Sequence, residues 1–188
     1  MGIISVFTKQ HKNVWKQLQE SGRYTVKRDY IVLDMQEHAD IIFKVYDWLV
    51  KNSPDAAARP EDAEYPVWVS FQKDTAMLPG KDSVLLELCV EETSITKINI
   101  AKWGAILNYS YIPLNAEDAL RHKALVNLYG TDDVRAVITP FYPEINREIV
   151  ESWKRLFDDT IQMGNDLAYG TIWEIKREWV KRIELGQE

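Results

Sequence analysis

The chain has 188 residues and a formal net charge of −6, and its lysines and arginines are dispersed rather than clustered. This length suits one compact domain with a core of its own, so we predict a single domain over residues 1–188. Dispersed cations exclude a broad nucleic-acid-binding face, because nonspecific affinity for phosphates requires clustered positive charge. A basic partner is the better electrostatic match for an acidic chain, although the same charge also serves solubility alone.

Cys89 is the single cysteine, so a disulfide framework is excluded. It lies in an apolar run without a basic neighbour, and we interpret it as a buried thiol rather than a nucleophile. No secretory signal opens the chain and no apolar run approaches about 20 residues, the length that spans a bilayer. We therefore expect a cytoplasmic protein that does not enter a membrane.

The N-terminal elements follow from short patterns. Residues 3–7 are β-branched and aromatic, which predicts a first strand that ends at residues 8–10. A helix follows and ends at Gly22, where a left-handed cap stops it. Its apolar face carries Val14, Trp15 and Leu18. Residues 24–26 and 30–33 are predicted to be extended.

A second helix is predicted to run through Val50, and residues 51–64 form a loop that delivers Arg59 and Pro60. Helical spacing is shown by Ile41, Ile42, Val45, Tyr46 and Leu49. The outer side of this helix is predicted to carry Asp40, Lys44 and Asp47.

Residues 65–90 are the stretch around which the rest of the chain is organised. Alternation at residues 65–71 predicts one buried strand, and the almost continuous apolar run at residues 84–90 predicts a central one. Pro79 and Gly80 break the pattern between them. We predict two strands joined by an antiparallel turn.

Asn99 and Asn115 are predicted to cap two helices, the first ending near Asn108 and the second closed by Gly130. The second helix is predicted to bury Ala119, Leu120, Ala124 and Leu128. Residues 134–138 are strand-like and Pro140 breaks them. Pro143 opens the clearest helix, which is predicted to end at residues 164–165. Its apolar stripe is Ile145, Ile149, Trp153, Leu156 and Phe157.

The residue pattern at 169–175 predicts an extended segment, and we predict that a terminal strand or helical turn follows it. Strands and helices alternate irregularly along the chain. This organisation predicts an α+β fold with a central, mostly antiparallel sheet and flanking amphipathic helices.

Standard catalytic signatures are absent from the sequence, including a glycine-rich phosphate loop, a serine elbow and an HExxH pair. The three histidines, His11, His38 and His122, fall in separate polar segments, so we predict surface histidines and no metal site. We predict no cofactor for the leading function below.

The aromatic residues support two interpretations. Trp15, Trp48, Trp103 and Trp153 lie on or beside helical apolar faces, which favours core positions. Tyr65, Trp68 and Trp173 instead lie on predicted strands near Arg59 or Glu174. These three either line a cleft that stacks a flat ligand or cover the open face of the sheet.

Glu87 and Glu174 are each flanked by apolar residues on a predicted strand. A carboxylate held there is either partly desolvated and chemically useful, or points outward and pairs with Arg59 or a lysine.

The order of several short segments resembles the bacterial domain of unknown function numbered 3841. The segments are Trp15 with Gly22, 46–49, Arg59-Pro60, 65–68, 86–88, Trp103 with 107–108, 152–153 with Phe157, and 171–175. The resemblance spans most of the chain and is weakest at residues 110–144, which implies an insertion there. It brings no established activity.

A fainter resemblance concerns small ADP-ribosyltransferase-like domains. A strand leading to a helix that ends in glycine, and a late strand of the form Thr-Ile-Trp-Glu-Ile, are similar to such domains. Those enzymes carry a His or Arg on the first strand and a Glu or Gln on the late one. On its first strand this chain has Thr8 and Gln10 instead, and on its late strand it has residues 169–171. Glu174 lies three residues beyond Thr171.

Two functions are therefore predicted. The leading one is a protein that binds a partner protein or small ligand, as a regulatory or defence or counter-defence factor of a bacterium or phage. The alternative is an ADP-ribosyltransferase-like enzyme that uses the nicotinamide dinucleotide NAD. Under the alternative, Glu174 orients the ribose or activates the acceptor, Tyr65 and Trp68 stack the nicotinamide, and Arg59 holds the pyrophosphate. Thr8 and Gln10 complete the predicted ligand site, and the oligomeric state is left open.

Overall fold

The computed structural model describes residues 2–29 and 39–186, with side chains described from residue 42 onward in the second range. The predicted extended segment at residues 30–33 and His38 lie outside the described residues. The chain divides into two compact units by its internal contacts. We call Met1–Lys97 with Ala168–Glu188 the sheet unit and Ile98–Leu167 the helical unit.

Eight strands and six α-helices are described. The strands are β1 Ile3–His11, β2 Arg23–Tyr24, β3 Val67–Ser70, β4 Ser83–Glu91, β5 Thr96–Asn99, β6 Ala168–Ile172, β7 Ile175–Lys176 and β8 Val180–Leu185. The helices are α1 Lys12–Ser21, α2 Ala39–Asn52, α3 Ile100–Leu107, α4 Ala116–Leu128, α5 Asp133–Ile138 and α6 Pro143–Ser152.

Six strands form one sheet in the order β5-β6-β3-β1-β4-β8, and β2 pairs with β7 separately. The pairs β1–β3, β1–β4, β3–β6 and β4–β8 are all antiparallel. The predicted α+β fold with a central, mostly antiparallel sheet is confirmed.

Strand β1 is longer than the sequence pattern indicates. Its pairing with β4 runs from Ile3 opposite Glu91 to His11 opposite Ser83. The predicted end at residues 8–10 is wrong, because Thr8 and Gln10 pair with Leu86 and Val84 although their side chains are polar. Pairing with a long neighbour here outweighs local strand preference.

Strands β3 and β4 do not form the predicted hairpin. Strand β1 lies between them and is antiparallel to both, so β3 and β4 are parallel to each other. A local turn does exist at residues 80–83, where the Ser83 amide donates to the Gly80 carbonyl at 2.9 Å. The turn pattern alone does not show that the N-terminal strand β1 lies between β3 and β4. The predicted interior position of β4 is confirmed, since β1 and β8 flank it.

One face of the sheet forms the core of the sheet unit, with Val6, Val69, Leu86 and Leu88 buried. Helix α1 adds its buried Val14 and Leu18 to this core. Gly22 ends α1 at φ 75°, and its amide donates to the Leu18 carbonyl at 3.1 Å, so the predicted cap is confirmed. Cys89 is only half-buried, beside Ser5 on the other face.

Helix α2 buries Val45 and Leu49 and leaves Lys44 and Asp47 exposed, as its spacing predicts. It also buries Phe43, which the predicted apolar face did not include, whereas Ile42 and Tyr46 are only half-buried. The side chains of Asp40 and Ile41 lie outside those described. Trp15 and Trp48 are only half-buried, in contrast to the predicted core positions, whereas Trp103 and Trp153 are buried.

In the helical unit the two predicted asparagine caps are confirmed. The Asn99 side chain accepts from the Lys102 amide at 3.0 Å, and that of Asn115 accepts from the Asp118 amide at 2.9 Å. Residues 110–144 lie within this unit, and their status as an insertion stays a prediction.

Residues 133–138 form helix α5, so the strand-like interpretation is wrong. Asp132 caps this helix by accepting from the Arg135 amide at 2.9 Å, and Ala136 and Val137 are buried. The cap and the burial of one side outweigh the strand preference of Val134, Val137 and Ile138.

The predicted buried face of α4 is also wrong. Leu120 is 68% exposed and Leu128 is 81% exposed, whereas His122 and Val126 are buried. The predicted apolar stripe of the last long helix is largely confirmed, with Ile145, Ile149, Trp153 and Leu156 buried and Phe157 half-buried. However, α6 ends at Ser152 and continues as a 3-10 turn, Trp153–Phe157, well before residues 164–165.

Candidate ligand site

A cavity of about 490 Å³ lies in the sheet unit, within the size range of small-molecule sites. Its polar lining consists of Arg28, Asp47, Lys51, Arg59, Glu64 and Tyr65. Val50 and Ala56 add apolar surface. We call this cavity the Arg59 pocket.

Three neighbouring elements place these side chains. Helix α2 supplies Asp47 and Lys51, which are one helical turn apart on its outer side. The 3-10 turn Ala56–Ala58 ends at Arg59, whose amide donates to the Ala56 carbonyl at 3.3 Å. Tyr65 lies just before β3 and bridges to Val26. Two residues of the predicted site, Arg59 and Tyr65, are therefore brought together.

Tyr65 is held firmly within the pocket. Its hydroxyl donates to Asp47 Oδ1 at 2.5 Å and accepts from Arg28 at 3.2 Å, and its ring stacks on Phe43 with centroids 5.9 Å apart. Burial, followed by the hydrogen bond to Asp47, raises the pKa of Tyr65 well above its usual range. The phenol therefore stays protonated at neutral pH and acts as a fixed donor.

The two pocket carboxylates are already engaged. Asp47 accepts from Tyr65 and lies 3.7 Å from the Arg28 guanidinium, and Glu64 accepts from the Arg28 amide. Arg28 also stacks on the Phe43 ring, with Cζ 3.9 Å from the centroid.

Lys51 and Arg59 differ from Arg28, because neither forms an ion pair with a carboxylate anywhere in residues 2–29 and 42–186. Arg59 instead lies near the Trp173 ring, with Cζ 6.0 Å from the centroid. Among the described residues of the lining, three cations thus face two carboxylates that already have partners, an excess of one positive charge.

Thr8, Gln10 and Trp68 do not line the Arg59 pocket. The Thr8 hydroxyl donates to the Trp68 carbonyl at 2.8 Å and accepts from Gln10 at 2.8 Å, which links β1 to β3. The ring of Tyr46 lies between Trp68 and the pocket residue Tyr65, with centroids 6.4 Å from Trp68 and 5.8 Å from Tyr65, both edge to face.

Glu174 also lies outside the lining of the pocket. It pairs with the Arg23 guanidinium and lies 3.5 Å from Lys176, while Arg23 forms two hydrogen bonds to Asp62. The Glu174 contact and then the Asp62 contact raise the pKa of Arg23. The interpretation of Glu174 as a paired carboxylate is thus the one the structure fits, with Arg23 and Lys176 as its partners.

Glu87 is paired in the same way. The Lys181 ammonium at 2.8 Å and the Ser5 hydroxyl lower its pKa, with Lys181 the larger cause. The interpretation of Glu87 as an acid with a raised pKa is therefore wrong. Trp173 is buried, and its indole donates to the Asp55 carbonyl at 3.2 Å.

The surface prediction for His122 is wrong, because this residue is only 5% exposed. Its ring nitrogens face Glu148 and Asp133, which are distant in sequence and give no short motif. The sequence feature that indicates burial of His122 is its position four residues before Val126, which puts the two side chains on one face of the helix. His11 is exposed, as predicted. Over the described ranges, no three histidine, cysteine, aspartate or glutamate side chains are grouped to hold a metal ion.

Lys102 is a second buried charged group that the sequence pattern does not reveal. Its ammonium donates to the carbonyls of Arg155 at 3.0 Å and Asp158 at 2.7 Å. Burial lowers the pKa of Lys102. These contacts fix the end of the 3-10 turn to α3, which is a structural role.

None of the helices in the described part of the chain is both long enough and apolar enough to span a membrane. No curated protein and no solved structure matches the chain significantly. One family model, described as "Domain of unknown function (DUF3841)", matches residues 5–181, and the chain therefore belongs to this family.

Proposed function

We propose that this protein binds a small anionic ligand in the Arg59 pocket. The observation that carries the proposal is the excess of cations: Arg28, Lys51 and Arg59 line a cavity in which both carboxylates, Asp47 and Glu64, already have partners. An anion entering there meets Lys51 and Arg59 without displacing a carboxylate.

The chemistry of the lining favours a phosphate or carboxylate group. A guanidinium presents a planar fork of donors that matches either group, and the Lys51 ammonium adds a point charge. Val50 and Ala56 provide apolar contact for the rest of the ligand, and the fixed ring of Tyr65 forms part of the wall. We therefore propose an organic phosphate or carboxylate rather than a bare inorganic ion.

The ADP-ribosyltransferase alternative has less support. It requires Thr8, Arg59, Tyr65, Trp68 and Glu174 around one cleft, and only Arg59 and Tyr65 line this pocket. Binding of NAD and catalysis by Glu174 remain predictions of that alternative. A regulatory or defence role in a bacterium or phage is compatible with ligand binding, and we keep it as part of the proposal.

Calorimetric titration with pyrophosphate, ADP and NAD tests the proposal. We expect ADP to bind with micromolar to millimolar affinity and Arg59→Gln to weaken it by about 10- to 150-fold, which corresponds to about 1.5–3 kcal/mol for a hydrogen bond to a charged group. Lys16→Gln is the matched control, since Lys16 is an exposed cation on α1 and does not line the pocket.

Absence of binding by all three anions would overturn the proposal. Equal weakening in Arg59→Gln and Lys16→Gln would also overturn it, because a general effect of net charge would then explain the affinity. Binding of NAD alone, lost in Glu174→Gln, would favour the ADP-ribosyltransferase alternative instead.

A further inference from the structure

Helix α4 presents an apolar side that its own unit does not cover. Leu120, Ala124 and Leu128 recur at intervals of four residues, the spacing of one helical face, and all three are exposed. Such a stripe is normally buried against another element. Tyr129, directly after the helix, is exposed as well.

A groove of about 500 Å³ begins at the end of this helix, between α4 and α6. Its apolar lining includes Leu125, Tyr129, Phe141, Tyr142 and Ile145. Phe141 is 75% exposed although it is a large aromatic side chain. Aromatic residues exposed together at a groove are typical of protein interaction sites rather than of plain surface.

The charged lining of the groove is mainly acidic. Glu144, Glu148 and Glu151 lie on one side of α6, and Arg147 is the single cation among the described residues of the lining. Glu148 is already engaged by Arg121 at 2.7 Å and by His122 at 2.9 Å. Glu144 pairs with Arg147 at 3.2 Å and Glu151 with Lys154 at 2.6 Å. Both pairs are solvent-exposed and join residues three positions apart, so each contributes little and a partner's cation can replace the local one.

We propose that this groove binds an amphipathic helical segment of a partner protein that carries lysine or arginine beside its apolar side chains. The apolar residues of such a segment cover Phe141 and Tyr129, and its cations meet Glu144 and Glu151. A second copy of the chain is a poorer occupant, because the net charge of −6 places acidic surface against an acidic rim. The groove belongs to the helical unit, so the proposal is independent of the Arg59 pocket.

The test uses two synthetic helical peptides of about 14 residues, roughly four helical turns, with leucine on one face and either lysine or glutamate on the other. We expect the leucine–lysine peptide to bind the full chain and the leucine–glutamate peptide not to bind, as measured by fluorescence anisotropy. Phe141→Ala should weaken binding by about 5- to 30-fold, as expected when a large interface anchor is removed. Leu78→Ala is the matched control, since Leu78 is 82% exposed in the sheet unit.

Charge-reversal variants distinguish binding in the groove from general attraction of a basic peptide to an acidic protein. Glu144→Lys and Glu151→Lys should each weaken binding by several-fold, whereas Glu61→Lys, which makes the same change at an exposed site of the sheet unit, should have a smaller effect. Equal binding of both peptides, or equal effects in the groove variants and the controls, would overturn the proposal. If sedimentation shows that the wild type is a dimer and that Phe141→Ala is a monomer, the groove binds a second copy of the chain. That result would also overturn the proposal.

Discussion

His122 lies 2.9 Å from Asp133, measured from ring nitrogen Nε2 to Oδ1, within the helical unit. Its other ring nitrogen lies 2.9 Å from Glu148 Oε1. Two carboxylates can both accept from one imidazole only when both ring nitrogens carry hydrogen. When His122 is protonated, both hydrogen bonds form together and link α4 to α5 and α6.

The groups around His122 set the direction of its pKa shift. Burial opposes the charge, but the hydrogen bonds to Asp133 and Glu148 outweigh it and raise the pKa of His122 above its ordinary value of 6.5. The Tyr111 ring stacks on the imidazole at 3.9 Å, and Arg121 donates to the same Glu148 oxygen at 2.7 Å.

We predict that stability falls as the pH rises through this raised pKa. A group whose pKa is higher in the folded state contributes its full stabilisation below 6.5 and loses it above the folded value. The free energy of unfolding, measured by chemical denaturation from about pH 6 to about pH 9, should therefore decline.

His122→Gln is the control for that decline. Its amide donates to one carboxylate only, so we expect a loss of about 1–3 kcal/mol at pH 6 and a flatter profile above. A wild-type profile as flat as that of the variant would contradict the role of His122. A separate decline is expected in acid, because the pKa values of Asp133 and Glu148 are lowered in the folded state and their contribution disappears as they protonate.

Trp153→Ala should destabilise the protein by about 3–5 kcal/mol, because removal of a fully buried aromatic leaves a cavity. Trp153 stacks on Tyr109 and its indole donates to the Ser110 carbonyl at 3.0 Å. Trp153→Phe keeps most of the packing and should cost less. Denaturation curves that show a loss below about 1 kcal/mol for the alanine variant would disprove the core assignment.

Leu86→Lys should abolish soluble expression, because it places an unpaired charge at a fully buried position of β4. The matched variant is Leu185→Lys, on the edge strand β8, where the leucine is 63% exposed. That variant should express normally with an unchanged melting temperature. Normal yield of Leu86→Lys would be incompatible with the buried face described above.

Glu174→Gln should leave binding at the Arg59 pocket unchanged, because Glu174 does not line that pocket. The variant keeps the shape of the side chain but removes the charge that pairs with Arg23 and Lys176. We expect a stability loss of about 1 kcal/mol or less for these partly exposed pairs. Titration with ADP should give the wild-type affinity, and a tenfold weakening would place Glu174 within the ligand site.

Local patterns in the sequence predicted those features that depend on neighbours along the chain. The cap at Asn99, the glycine stop at Gly22 and the apolar stripe of α6 all follow from spacing of three or four residues. The α+β class follows from the irregular alternation of strand and helix patterns. Arg59 and Tyr65, two residues of the predicted ligand site, line the same pocket, and their role in binding stays a prediction.

Tertiary structure alone decided which strands pair and which charges meet. The insertion of β1 between β3 and β4 depends on backbone hydrogen bonds between residues about 60 to 90 positions apart, which no local turn signal encodes. The pairing of Glu174 with Arg23 and of His122 with Glu148 likewise joins distant positions. Sequence therefore determined most of the elements through short-range periodicity, although not the helix at residues 133–138 or the end of α6. The fold determined the pocket, because a polar side chain acquires its chemistry from the partners that long-range packing brings to it.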